Sequence, residues 1–179
     1  MAYIRAFSAL LCLLSLPVHA RPVPLSRPAP GKIINVRNAH IHDYLSPDGK
    51  YVVRISPQYG EGGEEVPSLT VLDLSSARHT RHVSDQWATV TNLVWLPCHP
   101  HTLAVALNSD GDFTSALLLW RGPKQTHTLR QGKGTADDDF SIEGVSADGL
   151  TLTYKRFGYD APVPTGRSKA ALHRLILPH

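Results

Sequence analysis

Beyond its first twenty residues, this chain of 179 residues holds no apolar run near the roughly 18 residues that a membrane-crossing helix needs. It has two cysteines, Cys12 and Cys98. A chain processed after residue 20 keeps only the second, so no internal disulfide can brace the fold. Lys and Arg number 18 against 15 Asp and Glu, and they form no cluster that could track a phosphate backbone. That balance excludes nucleic acid as the expected partner. Hydrolase signatures are missing as well: there is no Gly-x-Ser-x-Gly elbow and no His-Glu-x-x-His pair. Gly60-Glu61-Gly62-Gly63 and Gly132-Lys133-Gly134 lack the strand–helix setting of a phosphate cradle and read as flexible loop. No segment after the N-terminus shows helical periodicity with caps.

What is present begins with an export signal. Arg5 precedes a mostly apolar stretch, residues 6–18, centred on Leu10-Leu11-Cys12-Leu13-Leu14. Val18-His19-Ala20 fits a small-x-small cleavage site. Residues 1–20 therefore read as a signal peptide, and the protein is expected to be secreted or periplasmic, without membrane insertion once cleaved. Leu11 is too bulky for the usual lipid-acceptor motif before Cys12. Cleavage removes one base and no acid, leaving 17 basic residues against 15 acidic. Residues 21–31 carry four prolines and read as an extended leader or tether. Residues 32–179 are long enough for one domain with a sizeable core.

The strongest signal is internal repetition at about fifty residues. Tyr44-Leu45-Ser46-Pro47-Asp48-Gly49-Lys50-Tyr51-Val52-Val53 returns as Gly144-Val145-Ser146-Ala147-Asp148-Gly149-Leu150-Thr151-Leu152-Thr153. A degenerate copy, Val94-Trp95-Leu96-Pro97-Cys98-His99-Pro100-His101-Thr102-Leu103, lies between them. Ser-Pro-Asp-Gly is turn chemistry: Pro presets φ, Asp bonds its own backbone, and Gly accepts positive φ. The middle turn is one residue longer and lacks the Gly. Each copy predicts a first strand (40–45, 90–96, 141–145), a second (51–55, 102–107, 151–154) and a third (69–74, 116–120, 171–177). A fourth shows twice, at 79–83 and 125–129. Leu69–Leu74 and Ala116–Trp120 are nearly continuous apolar runs, which predicts sheets covered on both faces. The third copy shows no fourth strand, and Ile33–Val36 is expected to supply one, either within the chain or to a partner.

These copies resemble the TolB-type, Pro-Asp variant of the β-propeller repeat. The resemblance rests on Leu45-Ser46-Pro47-Asp48-Gly49-Lys50-Tyr51-Val52-Val53 with Leu69-Thr70-Val71-Leu72-Asp73-Leu74, and more loosely on Val145–Gly149 and Trp95-Leu96-Pro97. It spans about residues 36–178. It implies an all-β, propeller-like fold of three four-stranded antiparallel blades. Closed propellers have four to eight blades, so three imply an open arc or half of a six-bladed ring made by two copies. The repeat occurs in periplasmic assembly proteins, lyases and the gating domains of prolyl-type peptidases, and it defines no catalytic residue.

In such an arrangement the second-to-third-strand loops and the connectors share one face. They gather ten of the 15 acids, including Glu61, Glu64, Glu65, Asp110, Asp112, Asp137, Asp138, Asp139 and Asp160, together with Tyr59 and Tyr159. The expected function is a non-enzymatic interaction module that docks another protein, or a basic peptide segment, on this acidic face. The plain alternative is that loops are charged because they are wet. No cofactor is expected. Asp110-Gly111-Asp112 and Asp137–Asp139 offer only a fragment of a calcium loop. A rival reading, a metalloprotein or enzyme, would gather His40, His42, Cys98, His99 and His101, residue types that zinc or copper accept. Another rival is a remnant of a peptidase's gating propeller.

Overall fold

The computed structural model describes residues 23–36, 40–59, 63, 65–74, 78–82, 88–109, 115–122, 125–132, 139–157 and 171–178. Every regular element among them is a strand. No helix among them is long and apolar enough to cross a membrane.

Thirteen strands form three sheets. The first sheet is a meander of β3 (His42–Leu45), β4 (Tyr51–Tyr59), β5 (Glu65–Asp73) and β6 (Arg78–His82), with the short β1 (Leu25–Ser26) added parallel to β3. The second is a meander of β7 (Ala88–Trp95), β8 (Leu103–Ser109), β9 (Ala116–Trp120) and β10 (Thr126–Gln131), with β2 (Ile34–Asn35) beside β7. The third holds β11 (Asp139–Val145), β12 (Thr151–Phe157) and β13 (Ala171–Ile176).

The repeat holds at the level of atoms. In the first copy the Ser46 hydroxyl donates to Asp48 Oδ1 at 2.6 Å, and Ser46 Oγ accepts from the Tyr51 amide at 3.0 Å. One hundred positions later the Ser146 hydroxyl donates to Asp148 Oδ1 at 2.5 Å, and Ser146 Oγ accepts from the Thr151 amide at 2.9 Å. Gly49 and Gly149 sit at φ 74° and 73°, and each donates its amide to the carbonyl of the serine three residues before it, Ser46 or Ser146. The longer middle turn closes differently, with the Thr102 amide on the His99 carbonyl at 2.9 Å and Cys98 at φ 58°. A left-handed conformation at a non-glycine residue costs about 1–2 kcal/mol. The first strands of the second and third copies each carry a bulge, at different distances from the turn: between Val90 and Asn92, and between Ile142 and Gly144.

The sheets stack, and alternation along each strand decides what fills the gaps. From the middle sheet, Leu93, Trp95, Leu103, Val105, Leu118 and Trp120 meet Val53, Ile55, Leu69 and Val71 of the first sheet. The alternate residues Val94, Ala104, Ala106, Leu117 and Leu119 meet Phe140, Ile142, Leu152 and Tyr154 of the third. Both sides of β9 are therefore buried throughout. Tyr51 and Trp95 pack edge-on against Trp120 at 4.9 and 6.5 Å between ring centroids.

Four expectations need correction. Leu69–Leu74 is covered on one face only: Leu69 and Val71 are fully buried, but Leu72 is half-buried and Leu74 is 53% exposed. The run belongs to an end sheet with no neighbouring sheet on its far side among the described residues. The leader is not a free tether over its whole length, since Leu25 and Ser26 pair with Asp43 and Tyr44 and the Gly31 amide donates to the Trp95 carbonyl. Ile34 and Asn35 join the second sheet beside Leu93 and Asn92, not the third. The sheets thus hold five, five and three strands among the described residues, not four each. The two short N-terminal strands share one physical role: each covers the otherwise open edge of a first strand.

The third sheet solves the same problem with side chains. Asn92, 1% exposed, presents its amide to β11 as a strand backbone would. Its Nδ2 donates to the Ile142 carbonyl at 3.0 Å, and its Oδ1 accepts from the Ile142 amide at 3.0 Å. Asn108 Oδ1 accepts from the Phe140 amide at 2.9 Å. Two amides from the middle sheet so satisfy the inner edge of the third and fix its register against the stack.

Candidate functional site

The meanders place their loops at two opposite ends of the strands. At the end where β4 turns into β5, Tyr59 is paired with Glu65, and its hydroxyl donates to Glu65 Oε1 at 3.5 Å. Tyr59 is 69% exposed. At the same end of the third sheet Asp139 pairs with Phe157, which is 41% exposed. Asp139 accepts a hydrogen bond from the Ser115 hydroxyl at 3.2 Å. Burial pushes its carboxyl above the usual range, and the hydroxyl only partly offsets that. The structure thus shows Tyr59 beside Glu65, and Asp139 on a separate sheet. Glu61, Glu64, Asp110, Asp112, Asp137, Asp138, Tyr159 and Asp160 lie outside the described residues. Phe157 was not singled out in the sequence, because an aromatic closing an otherwise polar Tyr-Lys-Arg-Phe segment carries no motif.

The opposite end holds the repeated turns. Here the middle turn lies between its two relatives. His101 Nδ1 is 3.8 Å from Asp48 Oδ2 of the first turn. That oxygen is buried with no hydrogen-bond partner among the described residues. On the other side the Ser146 hydroxyl, and then the Leu150 amide, hold Asp148 below the usual carboxylate range, with a smaller pull from His99. The Cys98 thiol is exposed and donates weakly to the Ala147 carbonyl at 3.8 Å. Gly149 packs so tightly here that an added Cβ would collide with the Pro97 carbonyl oxygen.

Between the middle and third turns lies a cleft of about 230 Å³. Its apolar lining is Leu96, Leu150 and Leu177; its polar lining includes His99, His101, Arg121 and Gln125. Arg121 and Gln125 come from the β9–β10 turn, which closes through the Arg121 amide on the Gln125 carbonyl at 2.8 Å. Arg121 has no acidic partner among the described residues.

The histidine and cysteine set is not brought together. His42 shares a 2.8 Å hydrogen bond with the Ser26 hydroxyl through Nε2 and lies beside Tyr44, at 4.4 Å between ring centroids. His40 is exposed on the first sheet's side, and His99 and His101 line the cleft. Among the described residues no three His, Cys, Asp or Glu side chains are grouped to hold a metal ion.

Fold and geometry together define an all-β chain of three stacked antiparallel sheets with aromatic residues exposed at one end and a basic cleft at the other. No protein-family model matches the chain, and no curated protein or solved structure is significantly similar to it.

Proposed function

We propose that this chain is an exported, non-enzymatic interaction module built from three propeller-type blades of the TolB-like, Pro-Asp kind, arranged as an open arc. It docks a partner protein through a basic segment at the loop end of its strands. The observation that carries the reading is Tyr59, 69% exposed beside the Glu65 carboxylate. An exposed ring next to an acid suits the aliphatic stem and charged head of a lysine or arginine. Phe157 adds a second exposed ring at that end.

The open arc is favoured over a two-copy ring by an ion pair on each end sheet, although Leu172 and Ile176 are also exposed on the third. Arg54 and Asp43 form a bidentate pair at 2.8 Å on the far side of the first sheet. Lys155 and Glu143 pair at 3.0 Å on the far side of the third. Ring closure would bury both pairs, and desolvation makes such burial costly.

An oligolysine peptide tests the docking reading. The expected result is binding that weakens several-fold in Tyr59→Ala and Glu65→Gln and falls with added salt. Equal binding of oligolysine and oligoglutamate, or no change in either variant, would refute it.

A further inference from the structure

A second binding site lies away from the docking end, and it does not depend on the reading above. Three observations converge on the cleft between the middle and third turns. First, its lining pairs an apolar half with a half rich in nitrogen donors and contains no acid. Leu96 and Leu177 are buried and Leu150 is half-buried, so an apolar group entering here is shielded from water. Second, Arg121 supplies a guanidinium with no acidic partner among the described residues. A guanidinium fork matches a carboxylate in a planar, two-point fashion. Third, the repeat breaks at this place and nowhere else so clearly. The flanking copies close with Asp-Gly, whereas the middle turn is one residue longer, places Cys98 at φ 58° and runs Cys98-His99-Pro100-His101. Local rules are broken at some cost where a site needs it. Two residues of that altered turn, His99 and His101, line the cleft.

The geometry points to a binding site for a small carboxylic acid with a short apolar tail, its carboxylate on Arg121 with His99, His101 and Gln125 beside it, and its tail against Leu96, Leu150 and Leu177. His101 already turns Nδ1 toward Asp48 at 3.8 Å, which leaves Nε2 as the ring nitrogen that can meet a ligand. The volume, about 230 Å³, falls below the roughly 300–1,000 Å³ typical of drug-sized pockets, which selects a small acid. The same chemistry is offered by a free short-chain acid and by the C-terminal leucine of a peptide. The small volume favours the free acid over a peptide end.

Calorimetric titration of the purified protein with sodium hexanoate tests this. Hexanoate should bind, and hexanol, which keeps the tail and lacks the charge, should bind at least about tenfold more weakly. Inorganic phosphate should also be weaker, because it leaves the leucines uncovered. Arg121→Leu should lose about tenfold or more, with Arg121→Lys between the two. Arg121 is half-exposed, so an unchanged melting curve certifies each variant as folded. In labelled protein, hexanoate should shift the Leu150 and Leu177 methyl signals. A tripeptide ending in leucine that outcompetes hexanoate overturns the free-acid assignment. Hexanoate binding that is absent at high millimolar concentration, or equal in Arg121→Leu, overturns the site.

Discussion

The middle sheet and the two end sheets are cut from one repeat, yet they differ in which positions are apolar. Counted from the turn, Val53 and Ile55 of the first copy correspond to Ala104 and Ala106 of the second and to Thr153 and Lys155 of the third. The first two pairs face a neighbouring sheet and are buried. The third pair faces no neighbouring sheet among the described residues. On the opposite side of the same strands, Val105 and Tyr154 are packed against a neighbour, and their counterpart Arg54 is not. Polarity switches where coverage ends. At these positions the repeat records its own place in the stack, while Val52 and Leu72 on the first sheet's far side and Leu172 and Ile176 on the third's stay apolar.

The comparison can be broken most sharply by removing packing on either side of it. Leu119→Ala in the middle sheet should cost about 2–5 kcal/mol in denaturant unfolding. Leu172→Ala, on the third sheet and 59% exposed, should stay within about 0.5 kcal/mol. Equal costs would mean that the third sheet's far side is covered in solution. Next comes the amide that joins the two sheets. Asn92→Ala strands both the amide and the carbonyl of Ile142, so a loss of about 2–4 kcal/mol is expected from the same measurement.

The turns give a contrast between two glycines in the same conformation. Gly49→Ala meets only the mobile end of Arg27, so its cost should be about 1 kcal/mol, the left-handed penalty alone. Gly149→Ala meets the Pro97 backbone as well and should cost clearly more, about 2 kcal/mol or above. Thermal melts of the two variants side by side decide it. In the middle turn, which closes differently, Cys98→Gly should stabilise by about 0.5 kcal/mol, and Cys98→Val should destabilise, because a β-branched side chain fits positive φ worst.

Two acids of the third sheet should pull stability in opposite directions with pH. Asp139 is raised from its ordinary 3.8 by burial, so the native state holds that proton more tightly than the unfolded chain. Its cost to stability is absent well below 3.8 and grows as pH rises through the raised native value. Asp148 is lowered, chiefly by the Ser146 hydroxyl, so its contribution is present above 3.8 and is lost as pH falls below that. Urea midpoints from pH 3 to 6 should therefore rise with pH relative to Asp148→Asn and fall relative to Asp139→Asn. The same sign for both would contradict the assignment.

The strands that carry the stack were legible in the sequence because turn chemistry and apolar runs are local signals. Ala116–Trp120 was read to the residue, and in the Ser-Pro-Asp-Gly turn so were the backbone bond to Asp48 and the positive φ of Gly49, but not the bonds of the Ser46 hydroxyl. The two-residue strands β1 and β2 were not legible. They form because an exposed strand edge needs a partner, and no residue type announces that. Nor was the sidedness of Leu69–Leu74, since one apolar run looks the same beside one neighbour as between two. The cleft was legible in half: the odd turn with His99 and His101 stood out, but Arg121 is a lone base after a strand, brought there by stacking. The acidic face remains carried by the sequence for Glu61, Glu64, Asp110, Asp112, Asp137, Asp138 and Asp160.

The account stands on a stack whose middle sheet is enclosed and whose end sheets meet water. Light scattering on the purified protein across a wide concentration range tests it most directly. The mass of a single chain throughout is the predicted result. A stable mass of two chains, dissociating when Lys155 or Arg54 is replaced, would show the end faces to be an interface and contradict it.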